Sequence, residues 1–267
     1  MHKTDVPWGR FASEPVFVLT ADQDWAPEWA IATLLEHVQK WKLPLHIFRT
    51  SPSALLDDAA RNGAIEQGWH PNFMTASTHG STPEEVVEYC QRLFPGARTS
   101  RSHCFAEDSF RIRALVRAGI VADSQNPTAC QGFLVPMIHP SGLLRLPVYF
   151  EDDCAFDAVD SYTVDVFRKT LFTPGLKIVN FHPTFVGCNT PSQLHYSSVR
   201  SKVFNTEQPA EGVRWNGRGT ANMFDELIGE IVSAGHRFGT LHSLVDETLK
   251  YLDEHPEMLP KGSVLRR

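Results

Sequence analysis

Short apolar runs alternate with amphipathic stretches along most of the chain, and no other feature of the sequence narrows the possible folds as much. The first run, Pro15-Val16-Phe17-Val18-Leu19-Thr20, is continuous, as expected of a parallel strand covered on both faces. From Glu28 to Trp41 the apolar residues Ile31, Leu34, Leu35 and Val38 then fall on one helical face. The same periodicities place strands at Leu45–Phe48, Ala64–Trp69, Ala97–Ser100, Ile120–Asp123, Leu143–Tyr149, Lys177–Phe181 and His236–Leu241. Helices are predicted at Ser53–Asn62, at Pro83–Leu93 behind a Ser81 or Thr82 cap, and at Ser109–Ala118, Asp157–Leu171, Ala221–Gly235 and Ser243–Asp253. Strand and helix in strict alternation predict an α/β fold, a parallel sheet with helices outside it. Pattern alone does not tell a closed barrel from an open sheet. In both, ligands bind at the carboxyl ends of the strands.

Composition removes several function classes. The 267 residues suit one large domain, and a 42% hydrophobic content with six Trp supplies its core. Twenty-five basic against thirty-one acidic residues leave a net charge of −6, the wrong balance for a nucleic-acid partner. No apolar run approaches the roughly 20 residues of a membrane span. Met1 to Phe11 is polar and lacks the apolar core of a secretory signal, so the expected location is cytoplasmic. Cys90, Cys104, Cys130, Cys154 and Cys188 are widely spaced with no C-x-x-C pair, which argues against a disulfide framework or a cysteine-ligated zinc and suits a reducing compartment. H-E-x-x-H, G-x-S-x-G and the P-loop are all missing, and Gly217-Arg218-Gly219 reads as a turn.

The strand-end rule then directs attention to particular residues. The first strand runs into Asp22-Gln23-Asp24-Trp25, and alternation in an extended segment points Asp22 and Asp24 the same way. Two carboxylates on one face repel unless a cation or a shared proton relieves them. The third strand ends in Trp69-His70-Pro71, the fourth in Arg101-Ser102-His103, and a late one in Asn180-Phe181-His182-Pro183. One Asp after a strand is commonly a turn former or helix cap. Four such ends carrying aspartates, histidines and an arginine point to a site, and that donor set suits a borderline divalent metal, zinc first, with a position open for water. Beside them, one of Trp25 and Trp69 is expected to be plain core, and the other either core or a flat apolar surface next to the strand ends. Tyr149, Glu151, Asp152 and Asp153 either hydrogen-bond hydroxyls or form a solvated loop, the loop being expected for at least two of them. The segment 187–214 is weakly periodic, as a lid or a disordered stretch would be. His37 and His46 lie away from the strand ends and are expected to be merely packed.

At these residues the chain resembles the NodB-homology polysaccharide deacetylases, carbohydrate esterase family 4, and within them the WbmS-like branch, from about Val16 to Asp246. The resemblance implies an irregular (β/α) barrel in a single catalytic domain spanning 1–267, with its core at about 16–246. Val18-Leu19-Thr20-Ala21-Asp22-Gln23-Asp24-Trp25 is similar to the family's first motif, which implies Asp22 as general base and Asp24 as metal ligand. Gly68-Trp69-His70-Pro71-Asn72-Phe73-Met74 matches the second motif at His70, but Met74 stands where a second ligating histidine belongs. His103 is the preferred third ligand and His79, on the loop Ser77-Thr78-His79-Gly80, the alternative. Arg101 takes the place of the arginine that pairs with the catalytic aspartate. Ile178-Val179-Asn180-Phe181-His182-Pro183 matches the last motif, which implies His182 as general acid. The implied activity is metal-dependent removal of N-acetyl groups from an amino sugar or polysaccharide precursor in bacterial surface glycan synthesis. The alternatives are a related carbon–nitrogen hydrolase of a non-sugar or cyclic amide, and a catalytically silent carbohydrate-binding protein of the same fold.

Overall fold

The computed structural model describes residues 9–158, 167–204, 207–259 and 261. Its first half runs α1 (Gly9–Ser13), β1 (Pro15–Asp22), α2 (Glu28–Trp41), β2 (Leu45–Arg49), α3 (Ala54–Arg61), β3 (Ile65–Trp69), α4 (Pro83–Leu93), β4 (Thr99–Ser100), α5 (Ser109–Arg117) and β5 (Ala122–Asp123). It continues through β6 (Met137–Ile138), β7 (Leu144–Arg145), β8 (Val148–Glu151), α6 (Asp152–Ala158), α7 (Arg168–Leu171), β9 (Gly175–Phe181), α8 (Pro183–Cys188), α9 (Gln193–Phe204), α10 (Thr220–Ser233), β10 (Phe238–Gly239) and α11 (Leu241–Glu254).

The strands form one sheet in the order β6-β7-β5-β4-β3-β2-β1-β9-β8, with β10 added to β1. Every pairing is parallel except β6 with β7. The chain leaving β5 makes a parallel bridge from Pro127 to Val148, with the Val148 N–H donating to Asn126 O and the Thr128 N–H to Val148 O. That bridge ties the β5 side of the curled sheet to β8, so the sheet is an irregular barrel, as expected. Inward-facing alternate residues include Thr20, Asp22, His46, Phe48, Gly68, Thr99, Arg101 and Asn180, an unusually polar filling. The apolar core lies between sheet and helices, where α2 and α10 bury Ile31, Leu34, Phe224, Leu227 and Ile228. A second apolar cluster joins Trp69 to α4 and α5 through Val86, Val87, Ile112 and Leu115.

Sequence and structure part in several places. The strand expected over Leu143–Tyr149 is split, because Pro147 has no N–H for a ladder, and its halves β7 and β8 pair with different neighbours. The helix expected over Asp157–Leu171 begins earlier, as α6, and ends as α7, while residues 159–166 lie outside the described residues. The segment read as lid or disorder carries α9, a helix that buries only Val199 and Val203, too narrow an apolar face to stand out by periodicity. The α4 cap is Thr82, in a reciprocal capping box with Glu85. No described helix is long and apolar enough to cross a membrane.

Candidate active site

At the carboxyl ends of β1, β3, β4, β8 and β9 the polar filling becomes a single connected cluster. β1 ends at Asp22, 2% exposed, and the wholly buried guanidinium of Arg101 faces it. Arg101 Nη1 donates to Asp22 Oδ1 at 3.0 Å, to Thr20 Oγ1 at 3.1 Å and to Asn180 Oδ1 at 2.5 Å. Its Nε and Nη2 donate to Ser124 O and Oγ at 2.7 and 2.8 Å, and its plane lies over the Phe48 ring. Asn180, on β9, donates through Nδ2 to Asp22 Oδ2 at 3.0 Å and to Glu151 Oε1 at 3.3 Å. A charged pair this deeply buried is tolerable only with its remaining hydrogen bonds made, and here they are made.

Asp24 reaches the cluster by a different route from the alternation expected of it. The strand stops at Asp22, and Asp24 and Trp25 take left-handed backbone conformations, with φ of 47° and 56°. Strain of this kind costs on the order of 1–3 kcal/mol per residue and needs support from its surroundings. Gln23 supplies part of it, its buried amide accepting from the Thr50 and Ser51 N–H groups and donating to Ser51 Oγ. The turn brings Asp24 Oδ1 to 3.0 Å from His70 Nε2 and 2.9 Å from His103 Nδ1. The three ligand atoms lie within 4.8 Å of one another. Burial alone would raise the Asp24 pKa, but hydrogen bonds from His103 and His70 outweigh it and hold the carboxyl well below the usual range.

On the other side of Asp24, His182 Nε2 lies 3.6 Å from Asp24 Oδ2 and 3.9 Å from Glu151 Oε1. Its Nδ1 meets Asp152 Oδ1 at 2.6 Å, and its backbone N–H donates to Asp152 Oδ2 at 2.8 Å. Burial would lower the His182 pKa, yet the Asp152 charge and hydrogen bond carry it well above that of a free imidazole. Burial, with Asp153 nearby, raises the Glu151 carboxyl well above its ordinary value.

Asp22, Asp24, His70, His103, Arg101 and His182 are thus brought together, whereas His79 is kept apart. Its Nδ1 accepts from the Asn72 N–H at 3.1 Å, and its ring stacks on Tyr89. Met74 is 46% exposed, and His103, from the neighbouring strand end, occupies the position beside His70 instead. The solvated-loop reading of the β8 end needs correction. Glu151 and Asp152 are buried in the site, and Tyr149 is buried on the opposite face, bonded to Phe167 O and Thr170. Trp69 is core, its Nε1 donating to Phe94 O, while the half-buried Trp25 stands edge-on to His103. Asn180 and Thr20 carried one signal in the sequence, as polar residues inside otherwise apolar strands.

The donor set fits a metal ion. Two imidazole nitrogens converge on one carboxylate oxygen, the mix of nitrogen and anionic oxygen donors that a divalent ion takes. A family model for WbmS-like polysaccharide deacetylases matches residues 19–200.

The chain belongs to that family.

Among solved structures it is similar to WbmS of Bordetella bronchiseptica, a candidate polysaccharide deacetylase involved in O-antigen biosynthesis. The two share 25% identity over 80% of this chain and 90% of that one, with a TM-score of 0.71. The family 4 carbohydrate esterase of Streptomyces lividans, solved with acetate, is 11% identical over 85% and 93% of the two chains, with a TM-score of 0.47. A family 4 pseudoenzyme of Bacillus anthracis is 13% identical over 88% and 67%, with a TM-score of 0.46. No match was found among curated proteins.

Proposed function

We propose that this deacetylase-family chain is a metal-dependent hydrolase removing N-acetyl groups from an amino sugar or polysaccharide precursor in bacterial surface glycan synthesis, acting in the cytoplasm as one domain. The observation that carries the reading is one largely buried cluster holding a carboxylate braced by an arginine, a two-histidine and one-carboxylate donor set, and a histidine paired with an aspartate. Asp24, His70 and His103 would hold the ion. Bound there, a divalent metal such as zinc supplies Lewis acidity and lowers the pKa of water toward about 7.

The chain's own residues manage the protons. Asp22 is the base: Arg101 and Asn180 fix both of its oxygens, so it takes a water proton without reorienting. His182 is the acid. Asp152 holds its Nδ1–H and thereby aims Nε2 at the space beside Asp24. Protonation from Nε2 converts a poor leaving group, the amide nitrogen, into a departing amine. Trp25 supports an apolar face for a sugar ring at the His103 side.

Acetate release from N-acetylated oligosaccharides and sugar nucleotides tests the reading, with metal content measured in the same samples. We expect about one equivalent of metal lost in His70→Ala, and turnover lower by on the order of 10²–10⁴ in Asp22→Asn and His182→Ala. Near-normal turnover in either variant removes that residue from its role. Metal without acetate release favours the carbon–nitrogen hydrolase of another amide, and no metal uptake at this cluster favours the silent binding protein.

A further inference from the structure

The opposite end of the barrel holds a second convergence of imidazoles on a carboxylate. His46 is the second residue of β2 and Glu66 the second of β3, paired in register at the amino ends of their strands. His242 is the second residue of α11, which lies against this end. His46 Nδ1 is 3.3 Å from Glu66 Oε2, and His242 Nδ1 is 3.6 Å from Glu66 Oε1. One ligand atom from each of the three residues lies within 4.8 Å of the other two.

These spacings are poor for hydrogen bonds and good for a shared ion. A charge-assisted N–H···O contact closes to about 2.7–2.9 Å, shorter than either separation here. Ligands held at about 2.0–2.2 Å around a tetrahedral ion stand roughly 3.4 Å apart, which both separations approximate. The supporting contacts are those of a ligand set. His46 Nε2 is held by Thr99 Oγ1 at 3.0 Å, which leaves Nδ1 aimed at Glu66. The His242 backbone N–H donates to Glu66 Oε2 at 3.0 Å. His46 is wholly buried, while Glu66 and His242 line a cavity of about 700 Å³, so solvent and ions have access to the triad from one side. The arginines of that cavity are engaged elsewhere: Arg49 bonds Asp57 and Gln67, Arg98 pairs with Asp246, and Arg61 pairs with Asp58.

We propose that His46, Glu66 and His242 bind a second divalent cation, zinc by the donor set, with water as the remaining ligand. Such an ion joins β2, β3 and α11, fastening the C-terminal helix to the floor of the barrel. The site stands apart from the cluster around Asp24 and does not depend on the deacetylase reading.

Zinc equilibrium dialysis on the full chain, followed by metal analysis and thermal melting, separates the two sites. His70→Ala is expected to retain about one equivalent and to melt higher with zinc than with a chelator. His70→Ala/Glu66→Gln is expected to hold none and to melt alike in both, since glutamine keeps the acceptor for the His242 N–H but ligates poorly. His242→Ala alone is expected to hold about one equivalent fewer than the wild type. The proposal is overturned if His70→Ala takes up no zinc, or if the double variant takes up as much as His70→Ala. Failure of the deacetylase reading would show separately, as wild-type protein that binds zinc and releases no acetate.

Discussion

Asp152 is not among the proposed metal ligands, yet His182 owes its direction to it. Both oxygens of this fully buried carboxylate bond His182, one the ring and one the backbone N–H, so side chain and strand end are fixed together. An Asn at this position keeps an acceptor for one of those groups and loses the charge that stabilises an imidazolium. Asp152→Asn is therefore expected to fold, to bind metal as the wild type does, and to lower turnover by on the order of 10²–10⁴. Equal metal content with impaired acetate release checks this; unchanged turnover would remove Asp152 from the acid's support. The role was not legible in the sequence. An Asp-rich run after a strand looks the same whether it faces solvent or folds inward as the start of α6, and only the β8–β9 pairing brings it to His182.

Between elements, the connection from α8 to α10 depends on one close approach. Asn189 ends α8 in a left-handed conformation, φ 49°, and its side chain donates to Trp215 O and Gly217 O while accepting from the Ala221 N–H. Gly219 passes so near that a Cβ there would sit 1.9 Å from the Asn189 carbonyl oxygen, a backbone atom that cannot swing aside. Gly219→Ala is expected to destabilise the protein by about 1–3 kcal/mol or more, read as a lower midpoint in urea. Gly217 and Arg218 form a bend leading into Gly219 at the start of α10, and what demands glycine at 219 is the neighbour and not a positive φ. Where helices have a broad apolar face or a strong cap the sequence places them within a residue or two, as with α2 and α4. It misses α9 because a helix that buries two residues carries almost no periodic signal.

At the scale of the whole molecule, the charges sealed beneath the helices set how stability varies with pH. Lys177 follows the alternation of β9 to the face away from Asn180 and is wholly buried. Its ammonium has one hydrogen bond, to Thr173 Oγ1, and the Tyr149 ring for company. Burial lowers its pKa from 10.5 to about 8. Between about pH 8 and 10.5 the unfolded chain therefore binds the proton more tightly than the folded one, and stability relative to a chain lacking the group rises with pH across that window. Lys177→Met is expected to raise stability at pH 7 by roughly 1–3 kcal/mol, with the gain shrinking as pH rises from about 8 to 10.5. Urea melts of both proteins across that range check it, and a gain independent of pH would show that the ammonium carries no burial cost.

Strict alternation of apolar runs with amphipathic stretches determined by itself that this chain forms a mostly parallel sheet flanked by helices. The residues at four strand ends, with their resemblance to a deacetylase family, marked where its chemistry lies. Those features are local: period, cap and strand end are written within a few neighbours. The tertiary structure alone decided that Pro127 and Val148 bridge the curled sheet, that a left-handed turn aims Asp24, and that His103 stands beside His70. It also decided that Asn180 and Asp152 hold the base and the acid in place. Each of these joins residues distant in sequence, and strand order, register and burial set such meetings only once the sheet has curled.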